Sequence, residues 1–463
     1  MTLALRILNI HSLRGIAQSG SAPALGAGGR RFKSCCPDQV IEMNEKQTII
    51  IGGGLQGLAV ANALLDRGEE VLVLEREAGV GLETSFANAG MITPSQAQPW
   101  NSVSDILDIL SGIGKQDSPM LLKINALPSL FFWGLSFIRN SSKSRFNTNT
   151  ENICKLAQYS LQQIQKVRKE YGLKYDHTDK GTMKIFRSDL SFKRGIEEAN
   201  RLKNFGIRYK VLDSEQVIEE EPQLKDITSQ IAGGIIFPQD ETGDAHKFCL
   251  ELENLIRKKG GRIHTNTEIR KILVHKKKVN SIVTDRVEIQ TKRVVVAAGS
   301  WSYLLLKNLG LRLPVRPVKG YSLTLDISGM KDVPSLAVID EGVHTAITPL
   351  GNRIRIAGTA EFVGFDDDIH EKRIDYLNNM LQAIYPSFYS KLDLEESALW
   401  YGFRPMSPDG KPYVGQTKVK GLYLNTGHGH LGWTLAMGSG ALLADMMIGN
   451  KTEIDSNPYL ATR

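Results

Sequence analysis

Residues 48–75 read TIIIGGGLQGLAVANALLDRGEEVLVLE, and this stretch constrains the fold more than any other part of the chain. Ile49, Ile50 and Ile51 form an uninterrupted β-branched run, which suits a parallel strand covered on both faces. Gly52, Gly54 and Gly57 then complete G-x-G-x-x-G. The apolar spacing of Leu55, Leu58, Ala59, Ala61, Leu64 and Leu65 predicts a helix over 55–67, and Gly68 ends it. Val71 to Leu74 reads as a second buried strand that closes on Glu75. Each part has a physical task. Gly52 permits the tight turn, Gly54 lets backbone amides approach a pyrophosphate, and Gly57 lets helix pack closely on sheet. The helix N-terminus offers free N–H groups and roughly half a positive charge to phosphates. Glu75 lies 21 residues after Gly54, where an acid accepts ribose hydroxyls and disfavours a 2′-phosphate, so FAD or NAD fits better than NADP. The glycine pattern alone is weak, and its alternative is a ligand-free turn; the flanking strands and the acid make it specific. The expected contacts are Ile51, Gly52, Gly53, Gly54, Leu55, Gln56, Gly57, Glu75 and Arg76.

Three further segments favour FAD. Residues 83–91, ETSFANAGM, are small and polar soon after the second strand. Thr84, Ser85 and Asn88 offer hydrogen bonds, and Ala89, Gly90 and Met91 complete a stretch that a ligand can approach; a capped helix start is the alternative. Residues 294–302, VVVAAGSWS, read as a buried strand running out into Ala297, Ala298 and Gly299, with Trp301 beyond, as if the nucleotide domain returned after a long insertion. Near the C-terminus a strand at 422–425, a turn with Gly427, Gly429, Leu431 and Gly432, and a helix from Trp433 and Thr434 to about Met447 form a second strand–turn–helix unit. Its helix N-terminus can stabilise negative charge on a reduced flavin. His428 and His430 have no other ligand types nearby, so no metal site is expected.

Composition narrows the class. A chain of 463 residues, 41% hydrophobic and 23% charged, is globular and long enough for two or three domains. Residues 1–43 hold five of the 57 basic and two of the 50 acidic residues, so the net +7 is partly theirs. No basic block with interleaved aromatics appears, which argues against nucleic-acid binding. Cys35, Cys36, Cys154 and Cys249 make no disulfide framework, which suits a reducing compartment. Residues 1–43 are rich in Arg and Ser, with no acid before Asp38. They read as a mitochondrial transit peptide, less well as a secretory signal, or as sequence upstream of a start at Met43, the reading favoured here. They are expected to stand outside the fold. The expected location is cytoplasmic, on the inner face of a bacterial plasma membrane, or mitochondrial if the leader is a transit peptide.

The order GxGxxG, ETSFANAGM, DETGD (240–244), KGYS (319–322), GFRPMSPDGKPYVG (402–415) and GHGHLGWT (427–434) resembles the FAD-dependent D-amino acid oxidase superfamily, most closely its bacterial D-amino acid dehydrogenase branch. The resemblance covers about residues 47–450. It implies an α/β fold: a discontinuous Rossmann-like FAD domain (44–97, 232–310, 396–463) with an inserted α+β substrate domain built on an antiparallel sheet (98–231, 311–395). It also implies oxidation of D-amino acids to imino acids, which hydrolyse to 2-oxo acids and ammonia, with electrons passing to a quinone or another respiratory acceptor. Hydride transfer from Cα to flavin N5 needs a neutral amine, a fixed carboxylate and a dry pocket. Glycine or sarcosine oxidases and 2-hydroxy acid dehydrogenases of the same superfamily are alternatives within enzymes, and a non-catalytic FAD-binding assembly factor is one outside them.

In the resembled family the arginine of the G-F-R-P string grips the substrate carboxylate, which points to Arg404; pairing with a structural carboxylate such as Asp409 is the alternative. Tyr321 is expected to hold substrate or close the pocket, or else to be an aromatic on the sheet. His344 and Tyr401 are weaker candidates, and His344 and His430 depart from the family pattern, which bears on side-chain preference. Residues 120–139, MLLKINALPSLFFWGLSFIR, are followed by Lys143 and Arg145 and suit either a membrane headgroup layer or packing between domains.

Overall fold

The computed structural model describes residues 40–42, 47–102, 106–107, 109, 112–113, 120–123, 126–343 and 345–463. The apolar runs of the nucleotide unit assemble into a six-stranded sheet. Its order is Arg262–His264, Val71–Leu74, Thr48–Ile51, Arg293–Val296, Leu422–Thr426 and Tyr413–Gln416. The first five strands are parallel and the last is antiparallel. Val294, Val295 and Val296 stand in register beside Ile49, Ile50 and Ile51, so the two loops that leave these strands emerge side by side.

The helices Leu55–Leu65, Lys143–Tyr171, Ala245–Lys258 and Gly432–Ile448 share one apolar core on one face of this sheet. Small residues allow the close approach. A Cβ at Gly440 would lie 2.7 Å from the Ala59 backbone, and one at Gly438 would lie 2.8 Å from Ser160. The last helix is long and apolar enough to cross a membrane, yet its surface is consumed by these two neighbours. On the opposite face lies a four-stranded sheet in the order Val40–Glu42, Glu288–Gln290, Lys278–Thr284 and Ile269–His275. Val40–Glu42 pairs in parallel with Glu288–Gln290, which corrects the expectation that residues 1–43 stand wholly outside the fold.

The second large sheet runs Ala398–Met406, Arg316–Asp326, Arg353–Phe362, Thr345–Leu350, Ala337–Asp340, Thr182–Phe186, Gly233–Phe237 and Lys210–Leu212, with Met120–Leu122 pairing beside the end of Arg353–Phe362. Most pairs are antiparallel; Ala337–Asp340 with Thr182–Phe186 and Met120–Leu122 with Arg353–Phe362 are parallel. Tyr321, Leu323 and Leu325 pack with Ile374, Leu377 and Leu381 of the helix Glu371–Ile384, which covers one face. The expected domain boundaries need three corrections. Gly233–Phe237 and Ala398–Met406 pair into this second sheet, and Lys143–Tyr171 buries its apolar stripe on the nucleotide domain.

Candidate active site

The glycine loop is built as a cradle. Gly52 adopts φ +110° and donates its N–H to the Leu74 carbonyl (2.9 Å). A Cβ there would lie 2.6 Å from the Ala297 carbonyl oxygen, so only glycine lets the two strand ends meet. The helix that follows starts at Gly54 with no side-chain cap, and Leu55 N–H donates to Ser85 Oγ (3.1 Å). The Glu75 carboxylate accepts Gly53 N–H (2.5 Å) and Glu77 N–H (2.8 Å). Burial pushes its pKa up, against these two bonds. Arg76 lies over the Trp301 ring (4.6 Å) and pairs with Glu77 (3.0 Å) and Glu83.

These groups line one part of a cavity of about 1000 Å³ that also reaches Arg404. Ile51, Gly52, Gly54, Leu55, Gln56, Glu75, Arg76, Thr84, Ser85, Asn88, Ala89, Met91, Ala297, Ala298, Gly299, Trp301, Gly429, Leu431, Gly432, Trp433 and Thr434 all line it. Gly53, Gly57, Gly90 and Gly427, expected as contacts, do not. Gly53 backs onto the Glu75 side chain, and Gly57 sits beneath the Gly52 carbonyl. Gly90 faces Gly243 and Leu350, and Gly427 faces Tyr413 and Val315. They shape the loops from behind. Gln96 Nε2 and Trp433 Nε1 are buried in residues of the cavity wall and find no partner among the described residues. Orphaned donors of this kind suit a ligand rich in acceptors. Together with the helix N-terminus and the acid, they fit an extended dinucleotide.

Arg404 marks the substrate end. It lies on Ala398–Met406, opposite Val318 of the central strand Arg316–Asp326. Its guanidinium folds across Gly320, where any Cβ would overlap it, and Nη1–H donates to the Thr359 carbonyl (3.0 Å) on the next strand. The Trp100 ring centroid is 5.6 Å from the guanidinium carbon, and the far side of the cluster is His430, stacked on Trp100 at 4.6 Å. Arg76, Lys184 and Arg201 also line the cavity, and each has a carboxylate partner: Glu83, Glu341 and Glu198. Arg404 has none among the described residues, and burial pushes its pKa down to about 10. Asp409, the alternative partner, instead pairs with Arg463 (3.2 Å) and Lys411 (3.5 Å). Burial also lowers His430, to about 4, and His428, to about 3, so both imidazoles are neutral at pH 7. His428 Nε2 bonds with Ser439 Oγ (2.9 Å).

Gly320 was not among the expected site residues, yet the fork depends on it. Gly320→Ala is expected to displace the guanidinium and raise the substrate KM by about tenfold or more, with FAD content unchanged. Steady-state kinetics beside the flavin absorbance of the purified variant checks this; a wild-type KM would show that the fork does not need the bare backbone.

Tyr321 is among the residues that line the cavity, but side chains alternate along a strand, so its ring points away from the face that Gly320 offers to Arg404. Its ring packs in the core under Glu371–Ile384, and its hydroxyl donates to Glu361 (3.3 Å), part of a buried pair with Arg373 (2.6 Å). Burial pushes its pKa up. Tyr401 turns the same way, with its hydroxyl on Asp367 (3.3 Å). His344 lies outside the described residues. Gln96, Trp100 and Thr359 joined the site without a local sequence signal, because strand register and loop packing bring them together, whereas Gly320 and His430 lie in the KGYS and GHGHLGWT strings.

The family model described as DAO, FAD dependent oxidoreductase, matches residues 47–446. A D-amino acid dehydrogenase from Bradyrhizobium diazoefficiens is 37% identical over 417 residues, covering 90% of this chain and 98% of its own length. One from Methylobacterium radiotolerans is 39% identical over 410 residues, covering 88% and 97%. Among solved structures, L-proline dehydrogenase from P. horikoshii matches with a TM-score of 0.70 at 18% identity, covering 90% of this chain and 97% of that one. Glycine oxidase from Geobacillus kaustophilus matches with a TM-score of 0.68 at 22% identity, covering 90% and 99%. Those two likenesses show the shared fold. The glycine cradle, the paired strand ends and the family match over nearly the whole described chain lead to one conclusion: the chain belongs to the DAO family of FAD-dependent oxidoreductases.

Proposed function

We propose that this protein oxidises D-amino acids to 2-oxo acids and ammonia and passes the electrons to a membrane quinone. The observation that carries the substrate class is Arg404, a buried guanidinium on the cavity wall with no carboxylate of its own among the described residues. A planar fork in that state is completed by a ligand carboxylate. FAD held along the glycine cradle would supply the electron sink for hydride from the substrate Cα. The protein's part is orientation and dryness. Arg404 fixes the acid end of the substrate, with Trp100 and Gly320 setting the plane of its fork. Buried His428 and His430 stay neutral and add no charge beside it. The D-amino acid dehydrogenase relatives, at 37–39% identity over most of the chain, support the D-configuration.

Anaerobic mixing of holoprotein with panels of D- and L-amino acids, glycine, sarcosine and 2-hydroxy acids tests the reading. Flavin bleaching confined to the D-amino acids is expected. Bleaching by glycine, sarcosine or D-lactate alone would move the protein to another branch, and no bleaching by any compound would make it a binding protein.

The quinone and membrane parts of the proposal rest on the helix Leu127–Asn140. Leu130, Trp133 and Phe137 pack against Val318, Phe362 and Met406, and Trp133 Nε1 donates to the Met406 carbonyl (3.1 Å). The other side exposes Leu127, Phe131, Phe132, Leu135 and Ile138, with Phe132 82% exposed. Arg139, Lys143 and Arg145 are exposed at its end. An apolar face edged by cations suits the headgroup layer of an anionic bilayer, here assigned to the inner face of a bacterial plasma membrane. Replacing Phe131 and Phe132 together with serine is expected to weaken partition into anionic vesicles by about a hundredfold, from roughly 3 kcal/mol of lost apolar burial. Turnover with a water-soluble acceptor is expected to persist. Unchanged vesicle sedimentation would remove this helix from any membrane role.

A further inference from the structure

Thr359 has φ +63°, a left-handed conformation that a β-branched residue adopts at a cost. The pairing of its strand explains the geometry. Against Arg316–Asp326 the register is Tyr321 with Gly358 and then Lys319 with Glu361, so Thr359 and Ala360 together oppose Gly320 in a bulge. On the other edge the neighbour changes at the same place: Thr345–Leu350 stops pairing at Ala357, and Met120–Leu122 begins at Ala360. Glycine would relax such a bulge. Threonine stands there instead, and two of its groups bear on the site. Its carbonyl accepts Nη1–H of Arg404 (3.0 Å). Its hydroxyl is buried with no partner among the described residues, although Thr359 lines the cavity and is 6% exposed. Nothing in the described protein holds that rotamer against a ligand. Backbone strain and an orphaned hydroxyl at one residue both weigh against stability, and their coincidence marks a position kept for what it binds.

We propose that Thr359 is a substrate-binding residue whose Oγ1–H donates to the carboxylate gripped by Arg404. This rests on Arg404 as the carboxylate clamp. The chemistry is consistent with the count of groups. Arg404 uses one of its five N–H donors on the Thr359 carbonyl, leaving a pair free for the fork. A carboxylate held by that pair keeps lone pairs for a further donor on the neighbouring strand.

Three variants test it: Thr359→Ser, Thr359→Val and Thr359→Gly. Serine keeps the hydroxyl and is expected to hold the KM for D-alanine within about twofold of wild type. Valine keeps shape and strain but loses the hydroxyl, and glycine loses the hydroxyl and the strain; both are expected to raise KM by about tenfold or more with full FAD content. Glycine should also melt a few degrees above wild type, so affinity and stability move in opposite directions. A merely structural threonine would change melting temperature while KM stayed put, and wild-type KM in the glycine and valine variants would overturn the proposal. If valine does not fold, the serine–glycine pair decides the matter alone. Arg404→Leu separates the two ideas: if it too leaves KM unchanged, the clamp reading fails, and if only the Thr359 variants are silent, the hydroxyl contact alone fails.

Discussion

Replacing Arg404 with leucine is expected to raise the KM for D-amino acids by roughly a hundredfold to ten-thousandfold while the protein stays yellow. The size follows from two charge-assisted hydrogen bonds of the fork, each about 1.5–3 kcal/mol. FAD stays because the glycine cradle lies elsewhere along the cavity wall. The effect on stability should run the other way. Arg404 has no acid partner among the described residues, and burial lowers its pKa to about 10. The folded chain therefore holds that proton less tightly than the unfolded chain. The resulting penalty is complete below about pH 10 and fades only as pH rises from there toward the ordinary arginine range. At neutral pH the leucine variant removes a buried cation and is expected to melt no lower than wild type. Arg404→Lys keeps the charge but loses the fork, so its KM should fall between the two. Steady-state kinetics with a soluble acceptor, together with a thermal melt, checks both signs. A leucine variant with unchanged KM would take Arg404 out of the site.

The second large effect is expected at Gly57. A Cβ there would overlap the Gly52 carbonyl oxygen and press on Ile50 Cγ2 at 3.3 Å. The obstacle is backbone, so a flexible side chain cannot simply move aside. Gly57→Ala must shift the loop whose amides would hold the pyrophosphate. With overpacking strain of about 1–3 kcal/mol falling on that loop, FAD affinity should drop roughly ten- to hundredfold. The purified variant should be pale and should recover colour on adding excess FAD. Gly68→Ala is the control. It replaces a positive-φ glycine (+75°), but nothing lies within 4 Å of the added carbon, so it should lose some stability and keep its flavin. Equal flavin loss in both variants would show that Gly57 has no special role in the cradle.

The parts of this fold that could be read from sequence are the local ones. In TIIIGGGLQGL the strand, turn and helix are contiguous, so spacing alone fixes their relation, and the structure has Thr48–Ile51 followed by Leu55–Leu65. The small residues of 297–299 read as the end of a strand returning to the nucleotide unit, and Val294–Val296 runs beside Ile49–Ile51. What could not be read depends on register between distant strands. Alternation shows that Gly320 and Tyr321 point opposite ways, but not which of them meets Arg404; the pairing of Val318 with Arg404 decides it. The bulge at Thr359 exists because Met120–Leu122 replaces Thr345–Leu350 along one edge, and no window around residue 359 records that. Gly233–Phe237 and Ala398–Met406 are apolar enough for either sheet, so their expected place in the nucleotide domain was wrong, and only the pairing reveals their membership of the second sheet. The helix Leu127–Asn140 divides the two readings of its segment: Trp133 and Phe137 are packed inside, whereas Phe131 and Phe132 face out.

The central claim is that the acid end of an amino acid is gripped at Arg404 while its Cα gives two electrons to the flavin. The most direct measurement is the anaerobic flavin absorbance of wild-type holoprotein mixed first with D-alanine and then, in a fresh sample, with D-alaninamide, whose carboxylate is blocked. Rapid bleaching by D-alanine and none by the amide at equal concentration is the predicted result. Equal bleaching by both, or by neither, would contradict it.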